Sequence, residues 1–177
     1  MKLPQSNGID SITIYRNVFS DADCWKIKKY LKSANWSFGH TSEFGSSKKF
    51  WNMNLNSEPY FTQDLFVEIQ NLIGEEFSIE RVYANGQTFG LDGEYHQDCE
   101  DDFGYTFLYY PHEEWKLEWG GTTSVFVGSE IKHFYPEPNT AIFFPGKLLH
   151  CGHSPTRDYL GLRMSLAYKL RIGLTGG

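Results

Sequence analysis

An apolar strand leads through a Pro-Gly turn into a histidine in the stretch Ala141-Ile142-Phe143-Phe144-Pro145-Gly146-Lys147-Leu148-Leu149-His150. Other short β-rich runs, separated by Gly, Pro, Asn and Asp, fill the sequence after Gly74. We expect strands near residues 12–18, 78–84, 105–110, 122–127, 140–144 and 162–169. This many closely spaced strands predicts a sandwich or jelly roll as the core of the domain.

Helical periodicity is confined to the first half of the chain. Ser20 is a candidate N-cap for a first helix, with Asp23 three residues later as a weak capping box. A second helix is predicted to begin near Pro59 and to end at Gly74. The residues that recur at helical spacing are Cys24, Ile27, Leu31 and Ala34 in the first helix, and Phe61, Leu65, Ile69, Leu72 and Ile73 in the second. Helices followed by many strands predict an α+β fold.

The length and composition indicate one globular domain over residues 1–177. Aromatic residues make up 17% of the chain, which excludes a disordered tail. We expect residues 1–77 to supply a strand and helices that pack on the core, and residues 78–170 to form that core. No apolar run approaches the roughly 18 residues of a membrane span, and Met1–Ser6 lacks the apolar segment of a signal peptide. With three cysteines and no CxxC, a cytoplasmic protein without a membrane partner is expected.

Most of the negative charge lies in one window of the sequence. The formal net charge is −6, but residues 91–120 alone hold nine acidic residues and one basic residue. This acidic balance argues against a nucleic-acid partner, because phosphate neutralisation needs clustered Lys and Arg. Within this acidic window, Glu100-Asp101-Asp102 either attracts a basic substrate or is a solvated charge run.

The tripeptide His96-Gln97-Asp98 lies in the acidic window. Side chains alternate in an extended chain, so its imidazole and carboxylate project to the same face and can hold adjacent sites on one metal. For the tripeptide alone, an exposed loop pair is the alternative. His150 supplies a second imidazole at the end of its apolar strand. Two histidines and one carboxylate form the facial arrangement of non-haem Fe(II) oxygenases, which leaves coordination positions open.

Arg163 and Ser165 share one face of the predicted strand near residues 162–169. A cation on the inward face of a barrel is costly unless it meets a partner, and a guanidinium beside a hydroxyl matches a carboxylate ligand. An α-keto acid that chelates the metal would present such a carboxylate at its distal end. The alternative is an arginine on an exposed strand face.

Further motifs follow one another in order along the second half of the chain. They are Arg81-Val82-Tyr83, His96-Gln97-Asp98, Thr106-Phe107-Leu108-Tyr109-Tyr110, Trp115, Trp119-Gly120-Gly121-Thr122, Phe144-Pro145 before His150, and Arg163-Met164-Ser165. With these motifs the chain from about Ser78 to Leu170 resembles the 2-oxoglutarate- and Fe(II)-dependent oxygenases, in particular the prolyl hydroxylase branch. The resemblance implies a double-stranded β-helix, a cupin-like jelly roll, with flanking N-terminal helices.

The resemblance also implies roles for individual side chains. The implied set is His96, Asp98 and His150 for iron, Arg163, Tyr109, Ser165 and Tyr83 for 2-oxoglutarate, and Trp115, Trp119 and His153 for the substrate pocket. Arg163 would pair with the distal carboxylate of 2-oxoglutarate, with Tyr109 as a hydrogen-bonding partner. For the two tyrosines and the two tryptophans, packing in the barrel is the alternative.

The spacing between the second histidine and the basic anchor departs from the family pattern. Arg163 follows His150 by thirteen positions and His153 by ten, and the family has the shorter spacing. His153 is therefore a rival ligand. We favour His150 because it directly ends the apolar strand. The additional residues between His150 and Arg163 then fall in a hairpin near residues 157–161, where an insertion is tolerated. The remaining histidines, expected to be exposed, are His40, His112 and His133.

The activity that the resemblance implies is hydroxylation of an unactivated C–H bond, with Fe(II), 2-oxoglutarate and O₂ as cofactors. A prolyl residue in a peptide or protein is the favoured substrate, and ascorbate is a candidate reductant. Loops near residues 36–49 and 90–104 would recognise the substrate. The alternatives are a free amino acid or other small metabolite as substrate, a non-catalytic jelly roll that binds a ligand or metal, and a nucleic-acid demethylase, which the acidic window disfavours.

Overall fold

Two antiparallel sheets and two α-helices make up residues 11–173, the part of the chain that this computed structural model describes. The elements in chain order are β1 (Thr13–Arg16), α1 (Asp21–Leu31), β2 (Ser37–His40), β3 (Phe50–Asn54), a π-helical turn (Tyr60–Asp64), α2 (Leu65–Ile73), β4 (Phe77–Gln87), β5 (Gly104–Tyr110), a 3₁₀ turn (Leu117–Trp119), β6 (Thr123–Val127), β7 (Glu130–Phe134), β8 (Thr140–Pro145), β9 (His150–Gly152) and β10 (Arg163–Ile172). The predicted α+β class is confirmed. The predicted domain limits at residues 1 and 177, and the stretch Met1–Ser6, lie outside the described residues.

The larger sheet has seven strands in the order β1-β8-β5-β10-β4-β3-β2, and the smaller has three in the order β7-β6-β9. Strand β10 lies between β5 and β4, and it begins with Arg163 opposite Gln87. None of the described helices has the length and apolar composition needed to cross a membrane.

Both helices begin or end where the sequence predicts. The hydroxyl of Ser20 accepts a hydrogen bond from the Asp23 amide at 3.1 Å and caps α1. Gly74 ends α2 with a left-handed φ of 82°, which glycine adopts without steric cost. The second helix differs from the prediction in its first turns, because a π-helical turn precedes α2. Leu72, predicted on the apolar face, is exposed.

Alternate residues of the central strands face two separate apolar clusters. The first cluster joins the helices to the larger sheet and includes Ile27, Leu31, Leu65, Ile69, Phe107, Tyr109, Leu166 and Tyr168. The second lies between the two sheets and includes Leu108, Tyr110, Val125, Ile142, Phe144 and Ala167. Because side chains alternate along a strand, the larger sheet is covered on both faces.

The strand prediction missed four short elements. The segment expected to be a loop near residues 36–49 contains β2, and β3, β7 and β9 also had no counterpart in the sequence reading. The N-terminal part therefore does more than pack on the core, since β1 pairs with β8 and β3 pairs with β4. Strands this short are stabilised by their distant partners rather than by local sequence preference.

Candidate metal centre and anion pocket

His96, Asp98 and His150 converge so that one potential ligand atom from each lies within 4.8 Å of the others. Nε2 of His96 lies 3.5 Å from Oδ1 of Asp98, and Nε2 of His150 lies 3.2 Å from Oδ2. The Asp98 side chain is only 7% exposed, so its charge must be compensated within the protein.

Backbone hydrogen bonds bring these residues together across 54 positions of sequence. The amide of each histidine donates to the carbonyl of the other, in both directions at 2.9 Å. The amide of Asp98 donates to the Gly146 carbonyl at 2.7 Å. The segment 96–98 thus runs along the turn that leads into β9, and the Pro-Gly turn noted in the sequence delivers His150 to the aspartate.

Both imidazoles are held in the tautomer that suits a metal ligand. Nδ1 of His96 lies 2.9 Å from the Glu94 carbonyl, and Nδ1 of His150 lies 2.8 Å from the Leu148 carbonyl. A carbonyl only accepts, so each Nδ1 carries a proton, and Nε2 is the nitrogen of each ring that faces Asp98 and is available to a metal. Burial lowers the pKa of His150 despite the neighbouring carboxylate, which favours the neutral ring that metals bind.

Asp98 has two further partners, both on Oδ2. The hydroxyl of Thr106 donates to this oxygen at 2.5 Å, and the ammonium of Lys169 forms an ion pair with it. Burial alone would raise the pKa of Asp98, but the ammonium of Lys169 holds it well below its usual range. Burial likewise opposes the charge on Lys169, yet Asp98 raises the pKa of its ammonium. Sequence reasoning missed Lys169, although its spacing of six from Arg163 places it on the same face of β10.

Arg163 is 1% exposed and is bound entirely by neutral groups. Its Nε donates to the Gly121 carbonyl at 2.9 Å, Nη1 to Oε1 of Gln87 at 2.9 Å, and Nη2 to the Thr123 hydroxyl at 2.8 Å. Among the described residues no carboxylate pairs with it. A guanidinium has five N–H donors, so two remain, one on each terminal nitrogen. Since a buried cation without an acidic partner is costly, Arg163 is suited to receive a ligand carboxylate.

Two of the candidate metal ligands, His96 and His150, line one cavity of about 50 Å³ together with Arg163. Of the predicted cosubstrate residues, Tyr83 and Ser165 also line it. Residues that sequence reasoning did not single out and that line it as well include Gln87, Thr106, Thr123 and Lys169. The chain therefore places the two imidazoles of the cluster and a buried cation around the same cavity.

The fold of this chain also occurs in solved structures of other proteins. No protein-family model matches the sequence, and no curated protein matches it. Among solved structures the chain is similar to an oxidoreductase of the 2OG-Fe(II) oxygenase family from Burkholderia pseudomallei, with 13% identity, a TM-score of 0.70, and coverage of 90% of this chain and 84% of that one. The chain has the fold of the 2-oxoglutarate- and Fe(II)-dependent oxygenases.

Two other structures show the range of proteins with this oxygenase fold. One is a prolyl hydroxylase from Trichoplax adhaerens in complex with a peptide fragment of the hypoxia inducible factor oxygen degradation domain, at 14% identity, a TM-score of 0.68, and 92% and 84% coverage of this chain and that one. The other is the non-haem alpha-ketoglutarate-dependent epimerase SnoN from nogalamycin biosynthesis, at 10% identity, a TM-score of 0.68, and 93% and 79% coverage. Prolyl hydroxylases, the branch that the sequence motifs resemble, are thus among the proteins with a similar fold.

In this oxygenase fold Tyr109 does not reach the cavity. Its ring packs edge-on against Phe19 with centroids 4.9 Å apart, and its hydroxyl lies 3.4 Å from the thiol of Cys24. The expectation that Tyr109 contacts the cosubstrate is therefore corrected. Tyr110 projects to the other face of β5, where its hydroxyl donates to Thr123 at 2.8 Å and the Arg163 guanidinium lies 5.8 Å from its ring centre. The alternation along β5 could have identified it, because Thr106 and Tyr110 are four residues apart.

The predicted substrate-pocket residues lie outside the cavity. Trp115 and Trp119 pack against Tyr159 with ring centroids 4.6 and 4.9 Å away, so the packing interpretation describes them better. His153 hydrogen-bonds through Nε2 to the Ser124 hydroxyl at 2.7 Å and does not join the metal-ligating cluster. The structure brings His150, and not His153, to Asp98.

His112 was expected to be exposed, but only 8% of it is accessible. Its Nε2 accepts a hydrogen bond from the Met164 amide at 3.1 Å, which places the ring beside the start of β10. Burial and the nearby charge of Arg163 lower its pKa to about 3.

The burial of His112 predicts a loss of stability in acid. The folded state keeps this ring neutral down to about pH 3, whereas the unfolded chain protonates it near pH 6.5. The free energy of unfolding should therefore fall as the pH decreases between these values, by up to about 5 kcal/mol from this group. Urea unfolding at several pH values should show a much shallower fall for His112→Gln than for the unmodified protein. Parallel losses in the two proteins would contradict the assignment.

The acidic window is largely neutralised by bases from elsewhere in the chain. The ion pairs that join it to residues outside it are Glu94–Lys48, Asp98–Lys169, Asp101–Arg171, Asp102–Lys147 and Glu113–Lys28. The segment Glu100-Asp101-Asp102 thus has two of its three carboxylates paired, which weakens the case for attraction of a basic substrate.

Proposed function

We propose that this protein is an Fe(II)- and 2-oxoglutarate-dependent dioxygenase that hydroxylates a C–H bond, with succinate and CO₂ as co-products. The observation that carries the proposal is the pairing of two groups in one cavity. A His-Asp-His cluster supplies the donor set of non-haem iron sites, and Arg163 supplies a buried cation with two unused donors. A non-catalytic jelly roll would have no use for such a cation beside a metal site.

The two sheets fit the proposed core of a single oxygenase domain. We infer that they are the two halves of a double-stranded β-helix built mainly from residues 78–170, because strands of both sheets line the cavity. The N-terminal helices cover the opposite face of the larger sheet. A closed core of this kind keeps bulk water away from the reacting groups.

The residues present fit an iron ion. Nδ1 of His96 and Nδ1 of His150 each face a carbonyl, so Nε2 of both rings and Oδ1 of Asp98 are the three atoms that would hold Fe(II). Iron bound with 2-oxoglutarate supplies the oxygen activation that C–H hydroxylation needs. The chain contributes rigidity, because reciprocal backbone hydrogen bonds between His96 and His150 hold the two residues side by side without a bound ligand.

Arg163 would receive the distal carboxylate of 2-oxoglutarate and so orient its keto acid end towards the metal ligands. Gln87 and Thr123 hold the guanidinium in place from two sides. Ser165 and Tyr83 line the same cavity, and their hydroxyls are the proposed additional contacts. Ascorbate remains a proposed reductant for the iron.

A prolyl residue in a peptide or protein is the substrate that we favour. The sequence motifs resemble the prolyl hydroxylases, and one structural neighbour is a prolyl hydroxylase in complex with a peptide. The competing proposal is a free amino acid or small metabolite, in keeping with the neighbour that is an epimerase of nogalamycin biosynthesis.

A turnover assay tests both the oxygenase activity and the prolyl substrate. The purified protein with Fe(II), 2-oxoglutarate and a peptide library should form succinate and add 16 Da to proline-containing peptides. His96→Ala should abolish both products, whereas His133→Ala, a histidine outside the cluster, should retain them. Succinate formation with products that lack proline would exclude the prolyl substrate alone. Absence of Fe(II)-dependent succinate with every peptide and metabolite would contradict the oxygenase.

A further inference from the structure

Lys169 places a buried positive charge directly against the proposed metal ligand. Its side chain is 6% exposed, and its ammonium forms an ion pair with Oδ2 of Asp98 and lies 3.3 Å from the Thr106 hydroxyl. The ring of Tyr83 completes its surroundings, with the ring centre 5.7 Å from Nζ. The only carboxylate among these contacts is Asp98 itself.

The ion pair divides the two oxygens of Asp98 between two tasks. Oδ2 accepts from Lys169 and Thr106 and also lies 3.2 Å from Nε2 of His150. Oδ1 lies 3.5 Å from Nε2 of His96 and is engaged by neither Lys169 nor Thr106, so it is the oxygen left for a metal. Partners of a ligating carboxylate fix its orientation and alter its strength as a donor. Thr106 does this as a neutral group, whereas Lys169 adds a full charge close to the metal.

A fixed positive charge acts differently on Fe(II) and on Fe(III). Coulomb repulsion grows in proportion to the charge of the ion, and it is strong between groups that water does not screen. A buried ammonium beside Asp98 therefore disfavours the trivalent ion more than the divalent one.

We propose that Lys169 is a positioning residue that biases the His96–Asp98–His150 site towards divalent iron, by holding Oδ2 of Asp98 with a positive charge. This inference rests on the proposed iron site. It assigns to Lys169 a task that neither cosubstrate binding nor the Arg163 contacts require. It also distinguishes the role of Lys169 from that of Thr106, because only the ammonium of Lys169 carries a charge.

The midpoint potential of the bound Fe(III)/Fe(II) couple tests this inference directly. In the full chain loaded with iron, Lys169→Met should lower the potential by at least about 59 mV, which corresponds to a tenfold change in the ratio of the Fe(III) and Fe(II) binding constants. Thr106→Val is the matched control, because it removes a neutral hydrogen bond to the same oxygen. It should weaken binding of both ions and leave the potential nearly unchanged.

A second variant guards against poor folding of Lys169→Met. Lys169→Gln keeps a hydrogen-bond donor near Oδ2 without the charge, and it should lower the potential as Lys169→Met does. If both neutral variants bind iron at the potential of the unmodified protein, Lys169 has only a structural role and the inference is overturned. Failure of the unmodified protein to bind iron would instead contradict the proposed function.

Discussion

Asp98→Ala is expected to abolish iron binding and to lower the free energy of unfolding by about 3–5 kcal/mol. The loss of binding follows from removal of the single carboxylate of the cluster. The loss of stability has a different cause, since the substitution leaves the ammonium of Lys169 buried without a counter-ion. Equilibrium dialysis with Fe(II) and urea unfolding measure the two effects separately.

Two comparisons isolate the buried charge as the cause. His150→Ala removes another metal ligand without leaving a charge behind, so it should abolish binding with a smaller loss of stability. The double variant Asp98→Ala/Lys169→Met should recover much of the stability and none of the iron binding. Equal stabilities of Asp98→Ala and His150→Ala would show that the ion pair contributes little to folding.

Arg163→Met is expected to weaken 2-oxoglutarate binding by about 100-fold or more while iron affinity is retained. Loss of one partner from a buried charge pair costs about 2–5 kcal/mol, which corresponds to such a factor. Methionine has a similar length and no charge, but it leaves the Gly121 carbonyl, Gln87 and Thr123 without their donor. Titration of the protein with 2-oxoglutarate under anaerobic conditions, with Mn(II) in place of iron, gives the dissociation constant.

Arg171→Met supplies the matched control for this substitution. Arg171 lies on the same strand, but it is half-exposed and pairs with Asp101 outside the cavity. Its replacement should change 2-oxoglutarate affinity by less than about twofold, as expected for a surface ion pair. Unchanged affinity in Arg163→Met would move the anchor to Lys169, the other cation that lines the cavity.

The parts of the site that could be predicted from sequence are those encoded by local patterns. His96 and Asp98 are two residues apart, His150 ends an apolar strand, and Arg163 shares a strand face with Ser165. Each pattern needs only the alternation of side chains to be interpreted. The helix cap at Ser20 and the left-handed Gly74 were predictable for the same reason.

The errors arise where an assignment depends on distant contacts. Tyr109 and Tyr110 are adjacent aromatics on a strand buried on both faces, so aromatic character alone could not show which one shares a face with Thr106. His112 sits among polar neighbours in sequence, and it is buried by contacts that the local pattern does not show, including the Met164 backbone and the Tyr159 ring. Strands β2 and β9 span only four and three residues, and β3 and β7 mix polar or charged residues with apolar ones, so no clear local pattern marks these four strands.

The pairing of the acidic window with bases from other parts of the chain changes the electrostatic potential around the protein. Five of its nine acids are each joined to a base from another part of the chain, so these five act as dipoles and the unpaired charge of the window is reduced. The potential of a dipole decays faster with distance than that of a charge, and salt at physiological strength screens what remains beyond about 8 Å. Long-range attraction of a basic molecule by this window is therefore weaker than its number of acidic residues suggests.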